Sequence, residues 1–258
     1  MIDYMKSEAE TMPKRDLQEP EDALAALKRD IVDGVLAPGE PLRLMALSKR
    51  YGIGYTPLRE ALPRLEEAGL AVLSPNRGYR VASVSVAELE DLEQARAVVE
   101  TALLKDSIAH GDLDWESAIV ACHHQLSRAS AALCRERSRT FAAWMDAHDA
   151  FHQSLLSAAR SGWLKSFQRQ ISEQLRRHHQ ALLFLPEDDE GNSYEHDGAT
   201  QALLEEALSI SNHTRLMEAV LARDAEHAAG LLREHVQFTL AVYQSAAEQS
   251  AGDAPARA

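Results

Sequence analysis

The pattern of apolar positions predicts a helix near the front of the chain. Apolar residues recur there every three or four positions, as they do on one face of a helix. The stripe consists of Leu24, Leu27, Ile31 and Val35. We therefore expect a first helix that begins at Asp22 and ends near Gly34, before a turn at 37–39.

Two shorter helices are predicted next. The first covers 42–51, because Gly52 behind it is a typical helix stop. Thr56 before Pro57 is typical of an N-cap followed by the first helical position, so the third helix is expected to begin there. Pro63 inside this helix should kink it or weaken one turn. The residues predicted to face inward are Leu58, Leu62 and Leu65.

A β-hairpin is predicted behind the three helices. Two short apolar runs, 70–73 and 79–82, flank the turn residues 75–78. Three helices followed by a two-stranded wing form the plan of a winged helix-turn-helix domain, in which the third helix can enter a major groove.

The remaining chain has a helical pattern almost throughout. Ser85 with Glu88 three positions later forms a capping box at its start. The pattern breaks at 111–112, 161–162 and 186–197, from which we expect a bundle of six to seven helices.

The predicted fold class is therefore mainly α, with an N-terminal winged helix-turn-helix (three helices plus a small β-hairpin) followed by an all-helical bundle. We expect a flexible arm at 1–18, the winged helix-turn-helix domain at 19–83, the helical domain at 84–247 and a disordered tail at 248–258.

Composition fits two globular domains. The 258 residues are 45% apolar and 5% aromatic, which favours helices over an all-β fold. The chain has no apolar run long enough to span a membrane and no secretory signal at its start. Cys122 and Cys134 are too few for a disulfide scaffold and suit a reducing compartment, so we expect a cytoplasmic protein without a membrane partner.

The net charge of −13 is unevenly distributed along the chain. Residues 21–85 hold nine Lys and Arg against eight Asp and Glu, a net of +1, whereas residues 86–258 hold fifteen against twenty-seven, a net of −12. An acidic chain therefore does not exclude a DNA-binding domain at the front.

The candidate DNA-binding residues lie on the third helix, the second helix and the wing. Arg59 would bridge a phosphate to a guanine edge, and Arg77 at the wing tip would enter the minor groove, where Gly78 allows close approach. Basic residues near the second helix would contact backbone phosphates. The full candidate set is Arg43, Lys49, Arg50, Tyr55, Thr56, Arg59, Arg64, Arg77 and Gly78.

Ordered motifs in this region resemble the GntR family of bacterial transcription regulators. They are a Pro38-Gly39 turn, Tyr51-Gly52, the run Thr56-Pro57-Leu58-Arg59-Glu60-Ala61-Leu62, and Arg77-Gly78-Tyr79-Arg80-Val81. The chain has Gly54-Tyr55 where the family often has Ser-Arg, so the arginine that reads bases in many members is absent. This feature and the wing resemble the subgroup of the carbon-starvation-induced repressor.

The helical domain resembles the effector domain of the FadR subfamily, the FCD type. The resemblance lies in the runs at 91–100 and 148–155, in His213 with 221–224 behind it, and in 233–235. It implies a DNA-binding transcriptional regulator, expected to be a repressor, that acts as a homodimer on a double-stranded operator with pseudo-palindromic sequence. It also implies control by a small carboxylic acid, with a dicarboxylate as one candidate.

Histidine spacing predicts a metal site in the helical domain. His148 and His152 are four positions apart and so share one helix face, while His213 and His235 come from two other helical segments. Imidazole ligands favour a divalent transition metal, Zn²⁺ first and Ni²⁺ as an alternative. The family usually has Asp or Asn at the position of His148, and here Asp149 follows one residue later. The site therefore has either four histidines or three protein ligands, and we favour His148 as an optional ligand.

Two arginines are candidates for binding the acid. Arg96 matches a family arginine that faces the pocket and would clamp a carboxylate, although an ion pair with Glu93 or Glu100 is the equal alternative. Arg177 is the second candidate. His178 and His179 beside it would either line the pocket or lie on a solvated face.

Two other functions compete with this interpretation. The helical domain could be a dimerisation or interaction module without metal. A metal-dependent hydrolase is the other alternative, but the chain lacks a His-Glu-x-x-His spacing that would supply a general base, so we expect no enzyme activity.

Overall fold

The computed structural model describes residues 20–133, 137–183 and 198–252. The predicted arm at 1–18 and the polar stretch 186–197 lie outside the described residues, as do residues 253–258. Residues 248–252 of the predicted tail 248–258 belong to the last helix. The described chain is mainly helical with one two-stranded sheet, which confirms the predicted fold class.

The described chain divides into two compact units. The N-terminal unit holds 20–31 and 39–82, and the helical unit holds 83–252 together with the short segment 32–38. That segment lies within the range that the sequence analysis assigned to the first domain.

The N-terminal unit begins with helix α1, Pro20–Val32. Its buried face is formed by Ala23, Ala26, Leu27 and Ile31. The predicted stripe is one turn too long, because the helix ends at Val32 and Val35 beyond it is half-exposed. Gly34 follows with a φ of 75°, a backbone conformation that side chains rarely adopt.

Helices α2, Leu44–Tyr51, and α3, Tyr55–Glu67, form the helix-turn-helix. Gly52 ends α2 in the left-handed conformation, as predicted. The predicted cap of α3 is wrong, because Gly54 occupies the N-cap and the helix begins at Tyr55. Pro57 is accommodated in the first turn, where backbone N–H groups have no partner within the helix. The helix continues past the exposed Pro63.

The wing is an antiparallel pair of strands, β1 at Ala71–Ser74 and β2 at Gly78–Val81. The segment 39–42 pairs with the other edge of β2 through backbone hydrogen bonds to Tyr79 and Val81. On β1, the backbone N–H of Leu73 donates to the Glu66 carboxylate of α3 over 3.3 Å.

The helical unit contains seven helices within the described residues. They are α4 Val86–His110, α5 Leu113–Leu133, α6 Arg137–Leu156, α7 Gly162–Leu183, α8 Gly198–Ala207, α9 Ile210–Leu221 and α10 Ala225–Gly252. Helix α4 packs against α7 and α10, and α5 packs against α6 and α9. A continuous core that includes Trp115, Phe151 and Leu232 joins these helices. None of the helices in the described ranges is long and apolar enough to cross a bilayer.

Half of the predicted capping box at α4 is present. The Ser85 hydroxyl accepts a hydrogen bond from the Glu88 backbone N–H at 3.1 Å. The Glu88 carboxylate lies 3.1 Å from His178 Nε2 on α7. In a complete capping box, the Glu88 side chain would turn back to the N-cap residue of its own helix. Here it links the first turn of α4 to α7 instead.

Candidate metal centre and nucleic-acid interface

Helix α3 presents polar and basic residues on the face opposite its core. Leu58, Leu62 and Leu65 are buried, as predicted, and this places Tyr55, Thr56 and Arg59 on the exposed side. Such a division leaves one whole helix face of the N-terminal unit available to a ligand.

The other candidate DNA-binding residues are also exposed, but two of them have partners. Arg64 lies 3.3 Å from the Glu21 carboxylate, and the Arg50 guanidinium lies 5.7 Å from the Tyr51 ring centre. Arg43, Lys49, Arg77 and Gly78 are exposed. Tyr51 itself donates to the Asp30 carboxylate at 2.6 Å, which ties α2 to α1.

The four predicted histidine ligands converge inside the helical unit. His148 and His152 come from α6, His213 from α9 and His235 from α10. One nitrogen from each ring lies within 4.8 Å of one nitrogen from every other ring. His152, His213 and His235 are fully buried, and His148 is nearly so. A metal ion at this point would be enclosed by three helices.

Most of the inward nitrogens have no hydrogen-bond partner. The Nε2 atoms of His152, His213 and His235 are buried and unpartnered within the described structure. The Nδ1 of His213 lies 2.9 Å from the Ser209 carbonyl, which makes Nδ1 the protonated donor and leaves a lone pair on Nε2. Buried polar atoms rarely stay unpaired in proteins, so three of them facing one point is the arrangement expected of metal ligands.

The environment keeps these imidazoles neutral. Burial lowers the pKa of His213 to about 3 and lowers the pKa of His148, His152 and His235 below the usual histidine value. Neighbouring histidines and Arg96 add to the effect in the buried rings. Neutral imidazole is the form that binds a metal ion.

His148 differs from the other three. Its Nδ1 lies 3.5 Å from the Asp149 carboxylate, and its ring stacks on Trp144 with centres 4.8 Å apart. Asp149 lies outside the cluster, with its other oxygen 3.0 Å from Arg176. The arrangement therefore assembles four histidines, and Asp149 contacts one of them from the side.

Arg96 forms the ion pairs that the sequence analysis left open as an alternative. Its Nε donates to Glu100 at 3.1 Å, and Nη1 lies 3.5 Å from Glu93. All three side chains are buried. Burial opposes the charge on Arg96, but the two carboxylates outweigh burial and raise its pKa. Glu93 also lies 3.6 Å from His179 Nε2.

A cavity of about 330 Å³ opens beside the histidines. Its lining includes His148 and His152 together with Arg96, Glu100 and a row of α7 side chains. A smaller cavity of about 50 Å³ adjoins the histidines as well and includes His235 and Tyr243 in its lining. The larger volume lies within the range of small-molecule sites.

The second predicted acid-binding residue, Arg177, does not line either cavity. Its guanidinium donates to the Ser83 carbonyl at 2.9 Å and to Gln174 at 3.1 Å. Arg176, one position earlier, lines the larger cavity instead. Likewise, His179 lines both cavities, whereas His178 is buried against Gln174 and Glu88.

Gln168 and Ser172 are cavity residues that the sequence did not nominate. They lie on one face of α7 with Arg176 and His179, at intervals of four, four and three positions, and all four line the cavity. The spacing of this polar stripe follows the helical period and can be read from the sequence. The sequence does not show that the stripe faces a cavity, because that depends on how α7 packs against α4 and α6.

Comparison with known proteins gives two family matches. The profile for bacterial regulatory proteins of the gntR family matches residues 20–81, and the profile of the FCD domain matches residues 91–238.

Two curated relatives each cover more than four fifths of the chain. The HTH-type transcriptional repressor GlaR of Escherichia coli K12 is 33% identical over 85% of this chain and 93% of its own length. The HTH-type transcriptional regulator BphR of Paraburkholderia xenovorans LB400 is 31% identical over 84% of this chain and 81% of its own. Among solved structures, McbR/YncC of E. coli has the same fold, with a TM-score of 0.66 at 22% identity, over 87% of this chain and 97% of that one.

Proposed function

Because this chain belongs to the GntR family, with a helix-turn-helix domain followed by an FCD domain, we propose that it is a repressor whose affinity for its operator is set by a small organic acid bound at a metal centre in the helical unit. The chain is a transcriptional regulator and not an enzyme. The observation that carries the proposal is the convergence of four buried imidazoles, three of them with unpartnered Nε2 atoms. Placement within the carbon-starvation-induced repressor subgroup stays a prediction.

The donor set fits a zinc ion. Four neutral imidazoles without a carboxylate among them suit Zn²⁺ or Ni²⁺ better than Mg²⁺ or Ca²⁺, which prefer oxygen ligands. His152, His213 and His235 would hold the metal, with His148 as the optional fourth ligand. Bound zinc supplies positive charge and a coordination position that a carboxylate can take.

Charge at the site makes acid binding depend on the metal. The buried group of Glu93, Arg96 and Glu100 carries a net charge of −1, which repels an anion from the adjacent cavity. A divalent ion held by the neutral histidines would add two positive charges beside this group. The metal-loaded site would therefore bind a carboxylate more favourably than the metal-free site.

The N-terminal unit would bind the operator through the exposed face of α3 and the wing. Tyr55, Thr56 and Arg59 would face the major groove, and Arg77 with Gly78 would approach the minor groove. Arg43, Lys49, Arg50 and Arg64 would contact phosphates. Gly54 and Tyr55 replace the usual Ser-Arg, so the operator sequence should differ from that of relatives with the arginine.

The helical unit would form the homodimer. Val98 on α4 and Trp163 with Phe167 on α7 are large apolar side chains left exposed on two helices that pack against each other. The rings of Trp163 and Phe167 have centres 6.1 Å apart. A second copy of the chain would cover Val98, which is 72% exposed on α4, and two copies related by a two-fold axis match a pseudo-palindromic operator.

Metal analysis tests the proposed function. Protein purified without chelator or affinity tag should hold about one zinc ion per chain, because three buried, neutral imidazoles form a preorganised site. The variant His152→Ala/His213→Ala should hold none, as measured by mass spectrometry of the metal content.

His227→Ala is the matched control, since His227 is exposed on the same helix as His235. This variant should keep its metal. Wild-type protein without metal, even after zinc addition and desalting, would overturn the proposed site and favour an interaction module.

The dimer and the DNA interface are tested together. Val98→Glu should give a monomer in sedimentation velocity, because a carboxylate would be desolvated in the interface. Since one copy contacts only one half-site, the affinity of the monomeric variant for an operator fragment selected from random DNA should fall as well.

Arg59→Ala tests the DNA interface. This variant should stay dimeric but lose about ten-fold or more in operator affinity, as expected for a base contact.

Leu113→Glu is the control for the dimer variant. Leu113 is exposed to 75%, close to the 72% of Val98, but it lies on α5. This variant should remain dimeric and bind the operator normally. A dimeric Val98→Glu protein would place the interface elsewhere.

A further inference from the structure

Two arginines line the larger cavity, and their surroundings differ. Arg96 is enclosed by Glu93 and Glu100 of its own helix, whose side chains are exposed to only 1% and 3%. Arg176 meets three carboxylates from other parts of the helical unit, those of Asp33, Asp146 and Asp149. Each arginine is therefore already paired before any ligand enters.

The free-energy cost of separating an arginine from its carboxylate partners decides which of the two arginines a ligand can use. A ligand that took Arg96 would leave Glu93 and Glu100 buried without a positive charge, which is strongly unfavourable. A ligand that took Arg176 would leave carboxylates that are 36% to 68% exposed and can return to water. The exchange is therefore far easier at Arg176.

The geometry of Arg176 also suits an exchange. Its Nε is 3.0 Å from Asp33, Nη1 is 3.0 Å from Asp149 and Nη2 is 2.8 Å from Asp146, so all three nitrogens are used by separate, single contacts. A ligand carboxylate can bind a guanidinium through two parallel hydrogen bonds and so replace two such contacts at once. Ser172 lies on the same stripe of α7, where its hydroxyl accepts a hydrogen bond from Gln168 at 2.8 Å and would donate its own hydrogen to the ligand.

We propose that Arg176, and not Arg96, is the cation that recognises the acid in this cavity, and that a ligand carboxylate binds its Nε and Nη2 in exchange for Asp33 and Asp146. This inference rests on the proposed function, since the metal would hold one end of the acid and Arg176 the other. It names the ligand class as a short dicarboxylate, which has one carboxylate for each. Arg96 then acts as a positioning residue that holds the charge of the buried carboxylates.

The exchange would link the cavity to the segment 32–38. This segment belongs to the helical unit, while the chain on both of its sides belongs to the N-terminal unit. Asp33 is the first residue after α1. Ligand binding would thus release a contact that holds this segment to α7, which gives the acid a route to the regulator's DNA-binding half.

Calorimetry on the zinc-loaded full chain tests the proposal with succinate and butyrate as probes. The two acids have equal carbon chains, but only succinate has a second carboxylate. Wild-type protein should bind succinate about ten-fold or more tightly than butyrate, as expected for a hydrogen-bonded charge pair. Arg176→Gln should remove this difference and leave butyrate binding unchanged.

Asp33→Asn gives a result that misfolding cannot imitate. Removing the competing carboxylate should tighten succinate binding about two- to five-fold, because a partly exposed ion pair no longer opposes the ligand. Arg169→Gln is the matched control, since it removes one positive charge from the exposed side of the same helix and should bind both acids as the wild type does.

The possible failures are distinguishable. A preference for succinate that survives in Arg176→Gln, or an Asp33→Asn protein with unchanged affinity, would overturn the role of Arg176 while the metal centre stands. Failure of both acids to bind the zinc-loaded protein at tens of millimolar would overturn the dicarboxylate assignment. A chain that retains no zinc would overturn the proposed function on which this inference rests.

Discussion

Removing the metal from the wild-type protein should lower its thermal midpoint by about 8–16 °C. A ligand present at a thousand times its dissociation constant stabilises the folded state by about 4 kcal/mol. For a protein of this size, each kcal/mol shifts the midpoint by roughly 2–4 °C. Micromolar zinc would exceed its dissociation constant a thousand-fold if the buried imidazoles bind it as tightly as three or four neutral nitrogens usually do.

Differential scanning calorimetry with and without chelator measures the shift. Readdition of zinc should restore the midpoint of the wild type and of His227→Ala. The His152→Ala/His213→Ala protein should melt at one temperature whether or not zinc is added. Equal midpoints for wild-type protein with zinc and with chelator would contradict the prediction, even if some metal copurified.

The second large effect is expected at Arg96. Arg96→Met should destabilise the protein by about 3–5 kcal/mol, because it leaves Glu93 and Glu100 buried without their shared positive charge. The free energy of unfolding can be measured by urea titration of the zinc-loaded protein.

A charge-balanced variant separates this cause from simple loss of packing. Glu93→Gln/Arg96→Met/Glu100→Gln has no buried charge in the group, so most of the lost stability should return. Arg169→Met, on an exposed position of α7, should change stability by less than about 0.5 kcal/mol. If the triple variant were as unstable as Arg96→Met alone, packing and not charge would explain the loss.

The sequence predicted best those features that depend on local spacing. His148 and His152 are one helical turn apart, and Gly52 ends a helix wherever that helix lies, so neither prediction needed the tertiary structure. The resemblance to the FCD type brought His213 and His235 into the same site. Spacing alone could not, because α9 and α10 are separate helices whose approach to α6 depends on packing.

The points at which the structure differs from the sequence-based expectation have physical causes of the same kind. Thr56 is a good N-cap residue, but Gly54 occupies that position, and Pro57 does not prevent this earlier start because the first-turn N–H groups have no partner within the helix. Arg176 and Arg177 are adjacent and therefore point about 100° apart, so the face of α7 toward the cavity decides between them. Packing against α4 decides which face of α7 points to the cavity, and this packing cannot be read from the sequence.

The outer edge of the wing could pair with a strand from another molecule. β2 is paired on both sides, by β1 and by the segment 39–42, so β1 is the outer strand of this small sheet. An outer strand with exposed Val72 and Leu73 is a template on which another molecule could add a strand and start aggregation. β1 is only four residues long, and the Glu66 carboxylate accepts the Leu73 N–H that an incoming strand would need. The contact with Glu66 thus lets the hairpin stay exposed while discouraging strand addition by another molecule.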